Sequence, residues 1–85
     1  MNNQEKLNRA INAQHLLDDP LIQEALASME SMYISDWKSS TVDDVVKRER
    51  AYACMTVLND FKAALSSFVN TGKIAEKQIE RDSKL

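Results

Sequence analysis

The chain has 85 residues, one Gly, one Pro, one Cys and a net charge of −2. That length gives one domain rather than two, and a domain of this size has a small core. Average composition would give roughly ten Gly and Pro together, so a turn-rich β fold is excluded and few, long helices are expected. Hydrophobic residues are 44% and charged residues 28% of the chain, which excludes a disordered polyelectrolyte.

A lone Cys54 excludes an internal disulfide and fits a reducing compartment. No apolar run approaches the ~20 residues of a membrane span. Residues Met1 to Lys6 have no apolar core of a secretory leader. A cytoplasmic setting and no membrane partner are the expectation. The slight acidity disfavours general nucleic-acid binding, which needs clustered cations.

Residues 1–6 are polar and read as loose. From Leu7, apolar residues fall at Ala10, Ile11, Ala13 and Leu17, close to helical spacing, and predict a short N-terminal helix. It should stop near Asp18, because the residue before a proline is driven out of the α region. Asp19-Pro20 then starts a second helix, with Asp19 at the cap and Pro20 at the first helical position. Ile22, Leu26, Met29, Tyr33 and Trp37 mark its apolar stripe over about 20–37.

Lys38-Ser39-Ser40 breaks the pattern. Thr41 followed by Asp43 and Asp44 reads as the start of a third helix, with acids where the helix dipole favours them. No Gly or Pro interrupts it before Gly72, so it is placed at about 42–70, with Val45, Arg48 or Glu49, Tyr52, Met55, Leu58 or Asn59, Leu65, Phe68 and Val69 facing inward and Ala51, Cys54, Phe61 and Ala64 flanking them. Asn70-Thr71-Gly72 reads as its C-cap. Ile74, Ala75 and Ile79 suggest a further weak turn, and residues 80–85 read as loose.

Taken together these elements predict a single all-α domain over 1–85. It is an antiparallel helical hairpin, about 20–37 with 42–70, preceded by a short helix. A link of about four residues makes antiparallel neighbours. The third helix outruns the second and keeps apolar residues beyond it, so oligomerisation, as a dimer or ring, is expected to complete the fold. The candidate interface is Tyr33 and Trp37 at the hairpin end, with Phe61, Leu65, Phe68 and Val69 on the overhang.

No residues assemble a catalytic, cofactor or metal site. His15 has no nucleophile or second ligand at a recognisable spacing and reads as a structural or surface histidine. Cys54 lies among apolar neighbours and reads as a core filler. The pairs Asp18-Asp19 and Asp43-Asp44 sit at helix starts, where capping explains them. Lys47, Arg48 and Arg50, with Lys62, are the candidate nucleic-acid contacts, supported by Lys73, Lys77, Arg81 and Lys84 in the tail. The acids Asp43, Asp44 and Glu49 close to that cluster favour a salt-bridged solvated face instead.

The run Leu17-x-Asp19-Pro20-Leu21-x-x-Glu24-Ala25, then Tyr33-Ile34-x-x-Trp37, Arg48-Glu49 and Gly72-Lys73, resembles small helical proteins of tailed bacteriophages. It covers roughly residues 15–75. The resemblance implies the head and DNA-packaging gene region, a role in virion assembly, and a place in the host cytoplasm during infection or in the virion. Other phage structural proteins are the partners it implies. Terminase small subunits pair a helical oligomerisation core with a DNA-binding domain, and this chain has room for the core alone. The function expected is thus a non-enzymatic assembly protein working through protein contacts. Its alternative is a small nucleic-acid-binding accessory or regulator built on residues 47–50.

Overall fold

The structure, a computed structural model, describes residues 1–84. It is all-α, with three helices in the order α1 (Asn3–Asp18), α2 (Pro20–Ser39) and α3 (Val45–Ser83), and no strand among the described residues.

Helix α1 starts four residues before the first apolar position at Leu7, so residues 3–6 are helical rather than loose. The cause is Asn2, whose side-chain Oδ1 accepts the Glu5 N–H at 2.8 Å. This satisfies one of the donors a helix start leaves open. Hydrogen bonds one turn apart, from the Gln4 amide to the Asn8 side-chain oxygen and from the Gln14 amide to the Asp18 carboxylate, run along its exposed side. Asp19 is the single residue between α1 and α2. It is extended at ψ 118, as a residue before proline must be, and its N–H donates to the Leu16 carbonyl at 3.3 Å.

Pro20 opens α2, where its missing N–H and fixed φ cost nothing. Serines close this helix: Ser39 Oγ donates to the Asp36 carbonyl at 3.3 Å and Ser40 Oγ to the Trp37 carbonyl at 2.6 Å. Such hydroxyls take up the carbonyls that a last turn leaves unpaired.

Helix α3 differs from the expected 42–70 at both ends. It begins at Val45, so Thr41 and Asp43 precede it. Asp44 holds the cap position: its carbonyl accepts the Arg48 N–H at 3.0 Å, and its carboxylate accepts the Thr41 N–H at 3.4 Å. At the other end Gly72 is no C-cap. It lies inside the helix without a positive φ, and α3 continues to Ser83. The expected loose segment 80–85 is therefore helical through Ser83, and Leu85 lies outside the described residues. Its 39 residues span about 58 Å at 1.5 Å each.

Contacts divide the chain into two compact units, one holding residues 1–19 with α3 from Lys62 onward, the other Pro20–Phe61. In the first, Ala10, Ala13, Leu65, Gly72 and Ala75 are buried. A Cβ placed on Gly72 would overlap the Ala10 Cβ, so these small residues let α1 and α3 approach closely. In the second unit, Ala51 and Leu58 are buried. Leu26 and Met29 of α2 line one cleft with Val57, Leu58 and Phe61 of α3, and Met32, Tyr33 and Asp36 line another with Lys47, Arg50, Ala51 and Cys54.

On α3 the buried residues Ala51, Leu58, Leu65 and Gly72 recur every seven positions, a coiled-coil period. Of the expected inward face, Leu58 and Leu65 are buried and Met55, Phe68 and Val69 half-buried, but Val45 and Tyr52 at its start are exposed. There the neighbour Ala51 is buried instead of Tyr52. One residue along a helix turns the side chain by about 100°, which exchanges the two.

Candidate interaction surface

Among the described residues only small or medium side chains are buried, and no large one is fully enclosed. Exposed instead are Trp37, Val46, Tyr52, Val57, Phe61 and Ile74, among others. Side chains of this size normally supply the core of a folded domain.

The six residues expected at an interface are divided by the structure. Trp37 (47% exposed) and Phe61 (49%) are open to solvent. Tyr33 is half-buried beside Met32, Asp36, Lys47, Arg50, Ala51 and Cys54, which line a cleft of about 440 Å³. Leu65 is buried in the unit formed with α1. Phe68 is half-buried under the Arg9 guanidinium, whose Cζ lies 4.3 Å from the ring centroid. Val69 faces Leu7, Ala10 and Ile11 of α1 across a shallow cleft. Helix α1 thus takes up much of the overhang that the sequence left without a cover.

A second surface, lined only by apolar side chains, lies between α2 and α3. Leu26, Met29, Val57, Leu58 and Phe61 form a groove of about 310 Å³. Leu58 is its buried floor, and Val57 (66% exposed) and Phe61 stand at its rim. Sequence reasoning placed Leu26, Met29 and Leu58 on apolar faces and singled out Phe61, but gave Val57 no role. The signal available was the spacing Ala53, Val57, Phe61, a second apolar row beside the buried one.

The basic residues have local work. The Arg48 guanidinium Nη1 donates to the Thr41 carbonyl at 2.5 Å and to the Val42 carbonyl at 3.2 Å, tying the α2–α3 connection to α3. Lys47 Nζ donates to Ser39 Oγ at 3.2 Å. Arg50 lines the Tyr33 cleft beside Asp36. Lys62 is half-buried and Lys73 is exposed at the α1 cleft. Lys47 and Arg50 thus share one cleft, whereas Arg48 bonds backbone that must otherwise face water.

His15 is exposed in the last turn of α1. Cys54 is a free, half-buried thiol in the Tyr33 cleft, beside Lys47 and Arg50 as well as apolar neighbours. Among the described residues no three His, Cys, Asp or Glu side chains stand together as metal ligands, and no helix is long and apolar enough to cross a membrane. Comparison with protein-family models, curated proteins and solved structures returns no match.

Proposed function

We propose that this chain is a non-enzymatic, oligomeric helical protein that acts through protein–protein contacts. In this reading α2 and α3 form an antiparallel hairpin whose outer apolar face is completed by further copies or partners. The exposed large side chains carry the argument. Trp37, Tyr52, Val57 and Phe61 are each between 47% and 66% exposed. Exposed aromatic side chains are of the kind that anchor partner contacts, and apolar side chains gathered at a groove mark interaction surfaces.

The biological setting follows from the motif resemblance to small tailed-phage proteins. It puts the assembly in the host cytoplasm during head morphogenesis or DNA packaging. Size-exclusion chromatography with light scattering tests the core of the proposal. Masses at multiples of 9.6 kDa at micromolar concentration are expected. A clean, stable monomer that captures no structural protein from phage-infected cells ends it.

A further inference from the structure

Two features that the sequence marks separately meet in one cleft. Tyr33, from the expected interface, and Lys47 and Arg50, from the basic run, line the same space of about 440 Å³ within the unit Pro20–Phe61. Clefts of this size hold ligands. Ala51 is buried at its base, and a side chain that small leaves the space open. Met32 and Tyr33 give the α2 wall an apolar and aromatic surface, and Lys47 and Arg50 give the α3 wall two cations against the single carboxylate of Asp36. The cleft is thus a positive spot on a chain of net charge −2. Lys47 Nζ is bonded to Ser39 Oγ at 3.2 Å. Arg50 is exposed, and its guanidinium has no hydrogen bond or ion pair among the described residues.

An unpaired guanidinium beside an aromatic wall suits a planar anion attached to an apolar body, and its fork matches a carboxylate. Asp36 discriminates between the two common sources of anion. A nucleic-acid strand carries a negative charge on every nucleotide and brings further charge towards Asp36. A peptide can give one carboxylate to Arg50 and turn a backbone N–H to Asp36. Resting on the protein-contact reading above, we infer that this cleft receives an acidic side chain of a partner protein, with a neighbouring aromatic or apolar residue against Tyr33 and Met32.

The test probes the labelled full chain on an array of octapeptides, each with one Glu beside one Phe in varied flanking sequence. Matching arrays carry Gln or Lys in place of Glu. Retention on the Glu peptides should exceed that on the Gln peptides by about tenfold, the effect of one charged hydrogen-bonded pair. Arg50→Gln should abolish that preference and Arg50→Glu should transfer it to the Lys peptides, both with helical circular dichroism retained. Equal retention on Glu and Gln peptides, or a Glu preference that survives Arg50→Gln, overturns the inference. So does a chain that ignores the peptides but binds a single-stranded oligonucleotide at low salt through Arg50. Should the Arg50 variants lose their helical signal, Asp36→Asn decides: removing the competing carboxylate should raise retention on the Glu peptides, and unchanged or weaker retention overturns the proposal. An oligomer, or a chain that captures a structural protein, with no Glu preference overturns this inference alone. A monomer that captures nothing and shows no Glu preference overturns the protein-contact reading with it.

Discussion

Gly72 of α3 packs so closely on Ala10 of α1 that a Cβ at position 72 would overlap the Ala10 Cβ. The Lys6 carbonyl oxygen stands 3.3 Å from the same point. In an exposed helix, replacing Gly by Ala stabilises by about 1 kcal/mol. Here the sign reverses. The overlap is with a Cβ, which cannot rotate away, so the helices must separate, and overpacking of this kind costs about 1–3 kcal/mol. Gly72→Ala should therefore lower the melting temperature followed by circular dichroism. Adding Ala10→Gly should restore part of the loss. A Gly72→Ala protein more stable than the wild type would show that the close approach is not maintained.

That contact explains which parts of the fold were legible in the sequence. Pro20 and the serines around residue 40 bound α2 by local chemistry, and both boundaries are readable within two residues. Gly72 has the same local chemistry as a C-cap, and local reasoning reads it as one. Its real constraint is tertiary: it makes room for Ala10, sixty-two positions earlier. The same limit applies to the inner face of α3. Periodicity finds an amphipathic helix, but two apolar rows lie side by side on it. Only packing decides that Ala51 and Leu58 go inside while Val57 and Phe61 stay out. The expected interface residues Leu65, Phe68 and Val69 were identified as apolar surface needing a cover, and α1 lies against them. Nothing in the spacing of α1 alone says where it docks.

Arg9 and Phe68 give a second check on that docking. The guanidinium sits over the ring at 4.3 Å, and Arg9 Nε is buried without a hydrogen-bond partner. The ring face is thus a principal stabilising neighbour of this cation. A cation–π contact is worth about 0.5–1 kcal/mol where exposed and more where desolvated. Phe68→Leu removes it along with part of the packing, so a loss of about 1–2 kcal/mol is expected in urea unfolding. A double-mutant cycle with Arg9→Met should return a coupling of about 0.5–1 kcal/mol. Zero coupling would mean that the two side chains do not meet in solution.

Asn2 governs the start of α1 through its bond to the Glu5 N–H. Its own carbonyl accepts the Lys6 N–H at 3.0 Å. Asn2→Ala removes the side-chain acceptor, which typically costs about 1 kcal/mol. The effect should be local, because the first turn opens more easily than the packed region around Ala10 and Ala13. Hydrogen exchange should speed up at Glu5 and Lys6 and stay unchanged at Ala13. Asn2→Asp should keep protection, since a carboxylate caps equally well and is favoured by the helix dipole.

Arg48 separates the protein-contact reading from the nucleic-acid alternative. Its guanidinium bonds the Thr41 and Val42 carbonyls, and Lys47 bonds Ser39, so the basic run begins as a clasp on the α2–α3 connection. Arg48→Met keeps the aliphatic stem but loses both donors. A hydrogen bond from a charged group contributes about 1.5–3 kcal/mol when well formed, and partial exposure here puts the expected loss near 1 kcal/mol. Urea unfolding measures it. The nucleic-acid alternative predicts something different, because a phosphate contact shows in the salt dependence of binding rather than in stability. If the cluster grips phosphate, gel shifts at low salt should detect binding, and replacing Arg50, which lines an open cleft, should reduce the slope of log affinity against log salt by about one. The clasp reading predicts no shift at low salt for wild type or either variant, with only Arg48→Met less stable. A salt-dependent shift whose slope falls by about one in the Arg50 variant would transfer the function to the alternative.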